Sequence, residues 1–347
     1  MESWVVLAFW MDFVGLGQSP PALFPRMQLE RIQRQLHGQI VDLTHNHGRD
    51  NRIWSTALGE KRDMYVYLPP NYDPSRKYPL GIFLHGAAQD ELFFLQAHVR
   101  LFDQAIYEGR MPPMILAAPD GSIHGQASFA IPATFWADSK AGAFERYLMC
   151  DVWNYLHENF PIRPEREAHS ITGVSMGGGA AVGLAIKYRD RFKTAVGMMP
   201  LVNIRYVDCH GKYRTDFDPQ CWAMRERFHG AEALGKRRMF TLRFDTLFTP
   251  LYGRGEKAIC GMSEINPMEI MERENLQNGE LNMYIAYGGK DQFNIAAQVE
   301  SFLYVARQRG IDITVDYDSE GRHDLATGLR MFPRAVAWSA AHTSTAP

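Results

Sequence analysis

The chain has 347 residues, of which 46% are hydrophobic and 22% charged, and its formal net charge is -2. That composition suits an ordinary globular protein with one large core or two modest ones, and excludes disordered, collagen-like and small disulfide-rich chains. The near-neutral balance gives no electrostatic footprint for nucleic acid or an anionic membrane surface.

Residues 1–17, MESWVVLAFWMDFVGLG, are apolar but lack a basic start and carry Glu2 and Asp12. Residues 1–25 are therefore expected to be an apolar N-terminal arm or a degenerate signal-like segment, with export open only on the second reading. Residues 26–347 read as a single domain. No further stretch approaches the roughly 18 uninterrupted apolar residues of a spanning helix, so no integral membrane span is expected.

After the proline-rich QSPPALFP (18–25), "RDMYVYLPP" (62–70) alternates and stops at prolines, while "PLGIFLHG" (79–86) and "MILAAPDG" (114–121) are short apolar runs. These are expected to be strands. Between 143 and 160 the apolar side chains Phe144, Tyr147, Leu148, Val152, Tyr155 and Leu156 recur at helical spacing ahead of Pro161. SITGVS is then a strand, GGGAAVGLAIKY a helix and TAVGMM a strand. Residues 282–289 and 311–319 are two more strands around the helix NIAAQVESFLYVARQR, which Gly310 closes, and a last helix covers 324–341. Alternating strands and helices predict an α/β fold with a mostly parallel sheet flanked by helices.

Residues 201–281 break this rhythm and are read as an insertion, a lid or cap over a site, with "RRMFTLRFD" (237–245) as one further strand. The four cysteines include no C-x-x-C pair, so neither a zinc ribbon nor a thioredoxin motif is expected; Cys209 and Cys221 could bridge in an oxidising compartment, but free thiols are the expectation.

Gly173-Val174-Ser175-Met176-Gly177 fits G-x-S-x-G and sits between a strand and a helix. In that setting the serine is lifted above the sheet on a strained turn, and the helix start favours an oxyanion beside it. Ser175 is the candidate nucleophile. A serine needs a base, and the base needs an orienting acid, in the chain order Ser, acid, His. Asp291 follows the strand at 282–289 and His323 follows the next one. Asp245 is a reserve acid, and Asp324 is expected to cap the final helix. An oxyanion hole takes one N–H from Met176 and one from the loop FLHGAAQDE (83–91), where Gly86 permits close approach and Ala87 donates. His85 is expected to pack or hold this loop. His45, His47 and Asp50 imitate a metal cluster but read as turn residues, and no metal or cofactor is expected.

With these residues assembled, the chain resembles the esterase family of α/β-hydrolases that includes esterase D (S-formylglutathione hydrolase), feruloyl and acetylxylan esterases, enterochelin esterase-like enzymes and mycolyltransferases. The resemblance rests on RDMYVYLPPNYDPSRKYPLGIFLHG, FWADSKAGAFERYLMCDVWNYLHENF, ITGVSMGGGAA, GGKDQFN and GRHDLATGLRMFPRAVAW. It implies an α/β-hydrolase fold and a Ser175, Asp291, His323 triad, with Trp136 and Asp138 in a loop bordering the substrate cleft. HGAA departs from the longer glycine run of many members, and the separation of Ser175 from Asp291 is long for a compact member. The expected activity is hydrolysis of a small, carbohydrate or phenolic ester through an acyl-enzyme. The alternatives are an acyltransferase on the same machinery and a catalytically idle binding domain.

Overall fold

The computed structural model describes residues 25–128, 133–237 and 240–343. The expected N-terminal arm lies almost wholly outside them. The centre is an eight-stranded sheet: β1 (Gln39–Leu43), β2 (Met64–Leu68), β3 (Leu80–Leu84), β4 (Ile115–Pro119), β5 (His169–Val174), β6 (Thr194–Met198), β7 (Asn282–Gly288) and β8 (Thr314–Asp318). Its spatial order is β1-β2-β4-β3-β5-β6-β7-β8. Both pairings of β2 are antiparallel, and the strands from β4 to β8 are parallel.

Two helical layers cover the sheet because successive side chains of each strand point to opposite faces. Tyr65 and Tyr67 of β2 face a cluster against which Leu29 and Ile32 of α1 (Pro25–Gln33) pack, with Phe102 and Ala105 of α2 (Val99–Tyr107) and Met331, Phe332 and Val336 of the C-terminal helix Leu325–Ala341. Met64, Val66 and Leu68 enter the opposite cluster. There they join Tyr147 and Leu156 of α3 (144–159), Val182 and Ile186 of α4 (Met176–Lys187), and Phe302 of the helix Ile295–Gln308. A sheet buried on both faces explains why its central strands read as nearly continuous apolar runs.

Residues 201–281 form two short hairpins, Tyr206–Asp208 with Trp222–Met224 and Ala233–Arg237 with Phe240–Arg243, then helices Phe244–Tyr252, Glu256–Ile265 and Pro267–Arg273. The single strand expected over 237–245 is thus the second arm of a hairpin running directly into a helix. Beneath it the buried Arg225 guanidinium lies 4.0 Å from the Phe244 ring and pairs with Glu232 at 2.9 Å. Cys209 and Cys221 form a disulfide, which corrects the expectation of free thiols. The cause is hairpin register: Asp208 pairs with Trp222, so the cysteines flanking that pair meet across the ladder.

Candidate active site

Strand order reverses between β3 and β5, since the chain leaves β3 for β4 on one side and returns to β5 on the other. The crevice beyond the carboxyl ends at such a point is where open α/β sheets bind ligands. Ser175 stands there at the end of β5, with φ 57 and ψ -116, a conformation that L residues rarely adopt. A Cβ on Gly173 would lie 2.0 Å from the Gly177 carbonyl oxygen, and one on Gly177 2.3 Å from that of Leu84. Three backbone segments therefore converge on the serine only because these positions lack side chains.

His323, in the turn after β8, brings Nε2 to 2.8 Å from Ser175 Oγ, while its Nδ1 lies 2.7 Å from Asp291 Oδ2. The Asp291 carboxylate is fully buried, and its Oδ1 accepts the Phe293 amide at 2.8 Å. A carboxylate acceptor at Nδ1 sets the tautomer that leaves an Nε2 lone pair toward the hydroxyl. Phe293 packs edge-on against the imidazole at 4.8 Å. The reserve acid Asp245 is engaged elsewhere, with Thr249 at 2.7 Å and Arg254 at 3.1 Å, and Asp324 caps the last helix through Thr327 N at 2.9 Å.

The Gly86 amide donates to Gln89 Oε1 at 2.8 Å, so Gly86 contributes space rather than a free N–H. Among the described residues the Ala87 and Met176 amides have no protein acceptor, and both residues line the same cavity as Ser175. His85 braces this loop from behind. Its Nε2 accepts the Gly121 amide at 2.8 Å, which puts the proton on Nδ1, 2.8 Å from the Gly86 carbonyl. Burial holds its pKa below the ordinary imidazole value, so the brace is neutral.

The cavity has a volume of about 70 Å³ and is mostly apolar. Leu234, Leu242 and Leu247 of segment 201–281 form one wall with Phe135, and Phe93, His98 and Phe332 contribute another. Trp136 and Asp138 are not among its lining residues. Trp136 is 0% exposed and supports the loop 83–91, its Nε1 donating to the His85 carbonyl at 3.3 Å. Asp138 is exposed and paired with Arg146 at 2.7 Å. Of the two neighbouring aromatics it is Phe135, with φ 53, that reaches the cavity, and its amide donates to Met176 Sδ at 3.3 Å. Its place in "ATFWAD" beside a tryptophan was the only sequence signal for it.

His45, His47 and Asp50 do not converge. His45 Nδ1 meets Asp63 at 2.8 Å, His47 Nε2 meets the Tyr65 hydroxyl at 2.7 Å, and Asp50 pairs with Arg52 and Lys61, both at 2.9 Å. Among the described residues, Cys209, His210 and Cys221 do lie close enough together to share an ion, but their two sulfurs are bonded to each other.

Residues 55–327 match the family described as "Putative esterase". The chain belongs to that esterase family. An esterase of Mycobacterium tuberculosis is 28% identical over 167 residues, which cover 45% of this chain and 33% of the relative. The S-formylglutathione hydrolase of Arabidopsis thaliana is 27% identical over 164 residues, 43% of this chain and 55% of the relative. The chain thus spans between a third and about half the length of these curated relatives. A ferulic acid esterase structure superposes with a TM-score of 0.64 at 17% identity, covering 89% of this chain and 100% of its own. An S-formylglutathione hydrolase from Agrobacterium tumefaciens gives 0.60 at 15% identity, covering 89% and 97%. At that identity the likeness establishes the α/β-hydrolase fold of this esterase family member. No helix among the described residues is long and apolar enough to cross a membrane.

Proposed function

We propose that the protein is a serine carboxylic-ester hydrolase working through an acyl-enzyme, with 26–347 as one catalytic domain and 201–281 as its lid. The observation that carries this reading is the unbroken relay from Asp291 to His323 at 2.7 Å and from His323 to Ser175 at 2.8 Å, opening into an apolar cavity. Ser175 Oγ attacks the ester carbonyl as His323 Nε2 takes its proton, and the buried Asp291 carboxylate stabilises the imidazolium. The Met176 and Ala87 amides receive the negative oxygen of the tetrahedral intermediate. Its collapse expels the alcohol, protonated by His323, and leaves an ester on Ser175. Water, deprotonated by the same nitrogen, repeats the addition and frees the acid. Small, carbohydrate and phenolic esters are the substrate classes to which the family membership points.

The deciding experiment compares wild type with Ser175→Ala on short-chain p-nitrophenyl esters, feruloyl esters and acetylated sugars, alongside fluorophosphonate labelling. Activity and label at Ser175 in wild type, both lost in the variant by about 10⁴-fold or more in rate, are expected. A wild type that cleaves none of these esters and takes no label overturns the reading.

A further inference from the structure

We propose that His98 selects the substrate, its Nε2 serving as a hydrogen-bond acceptor for a hydroxyl on whichever half of the ester enters the apolar cavity. This rests on the esterase reading of Ser175 and goes beyond it. His98 lines the same cavity as Ser175 and His323, yet is only 2% exposed. It ends the π-helical turn Phe94–His98, where one extra residue per turn re-aims a side chain, a distortion frequent at functional sites. Its ring is held between Phe83 and Phe93, each at 4.6 Å, and Phe332 at 4.8 Å.

Among the described residues the ring has one hydrogen-bond partner, the Phe93 carbonyl oxygen, 3.5 Å from Nδ1. A carbonyl only accepts, so the favourable tautomer carries its hydrogen on Nδ1 and leaves the lone pair on Nε2. Burial depresses the pKa of this imidazole to about 4, which keeps the ring neutral at physiological pH. Among the described residues no hydrogen bond reaches Nε2. Of the other polar groups in the lining, Gln89 is tied to the Gly86 amide and Asp324 to the Thr327 amide. An acceptor left bare in an apolar wall is costly, and a ligand with a matching donor removes that cost. A hydroxyl fits that role. An ammonium does not, because stripping a full charge of water against phenyl rings costs far more than one hydrogen bond returns.

The test measures kcat/KM for p-nitrophenyl butanoate, hexanoate and octanoate, each beside its ω-hydroxy counterpart, and for hexyl acetate beside the monoacetate of hexanediol. Wild type, His98→Phe and His98→Gln are compared, with thermal denaturation as a check on folding. The expected result is that the hydroxyl raises kcat/KM about tenfold at one chain length in wild type. The preference vanishes in His98→Phe, which keeps the ring packing but has no acceptor, and returns in part in His98→Gln. An equal hydroxyl-to-alkyl ratio in wild type and His98→Phe at every length, or a wild type that always prefers the plain ester, overturns the proposal. If wild type cleaves none of these esters and takes no fluorophosphonate, the esterase reading is what has failed. Calorimetric binding of the same ester pairs to wild type and His98→Phe then decides the role of His98 alone, equal affinities counting against it.

Discussion

Gln292 clasps the main chain of His323 by both of its polar groups, Oε1 accepting the His323 amide at 3.2 Å and Nε2 donating to its carbonyl at 3.1 Å. Gln292 adjoins Asp291, so one short loop after β7 fixes both the Asp291 carboxylate and the backbone of His323. Gln292→Ala should lower kcat about tenfold to a hundredfold, since small errors in positioning a catalytic group are costly. KM should stay within about twofold. Steady-state kinetics on a p-nitrophenyl ester separate the two parameters. A raised KM with unchanged kcat would make Gln292 a substrate contact instead.

Asp291→Asn should leave the fold intact and cost about 10⁴-fold in kcat, because an amide at Oδ2 favours the wrong imidazole tautomer. Asp245→Asn should retain activity within about threefold, as its carboxylate is occupied by Thr249 and Arg254. Side-by-side kinetics of the two variants decide the identity of the acid, and the opposite ranking would make Asp245 that residue.

At Gly177, a Cβ would sit 2.3 Å from the Leu84 carbonyl oxygen and 2.5 Å from that of His85, both rigid backbone atoms. Gly177→Ala should therefore push the loop 83–91 away from α4 or unfold the region, with a loss of about 3 kcal/mol or more. Urea denaturation and fluorophosphonate labelling report the two effects. A variant with wild-type stability and labelling would show that the junction can relax.

Burial lowers the pKa of His98 from its ordinary 6.5 to about 4. Above pH 6.5 the ring is neutral in folded and unfolded chains alike. As pH falls from 6.5 toward 4, only the unfolded chain takes up the proton, so stability is lost across that window, by up to about 3 kcal/mol. His98→Phe should lack this loss. Asp90 acts with the opposite sign, since burial raises its carboxyl to about 6, but it is present in both proteins and cancels in their difference. Urea denaturation at several pH values should give stability curves that diverge below pH 6.5. Parallel curves would mean that His98 titrates normally.

Cys209 and Cys221 are disulfide-bonded, whereas Cys150 and Cys260 are exposed free thiols. Alkylation of the unfolded, unreduced chain should modify two cysteines, and prior reduction should expose all four. Opening a loop this short should cost about 3 kcal/mol and lower Tm by a few degrees. Mass spectrometry after alkylation and thermal denaturation with reductant measure both, and four reactive thiols without reductant would contradict the pairing.

The sequence by itself determined the parts governed by local rules. Short apolar runs bounded by Gly and Pro gave β2 to β7, and the glycines around Ser175 marked a turn where backbones had to touch. The position of a residue just past a strand end pointed to Asp291 and His323, because in a parallel sheet all such ends meet at one edge. β1 was not legible, since its half-exposed QIVDL carries little periodic signal. What only the tertiary structure decided were contacts between distant segments. Which of Phe135 and Trp136 faces the cavity depends on two consecutive positive-φ residues, which no side-chain pattern encodes. The union of Cys209 with Cys221 depends on hairpin register, and the exposure of one edge of His98 to the cavity beside Ser175 depends on a π-turn packed against a helix from the other end of the chain. Burial and hydrogen-bond pairing are properties of the assembled neighbourhood, so they became visible only once the chain had folded.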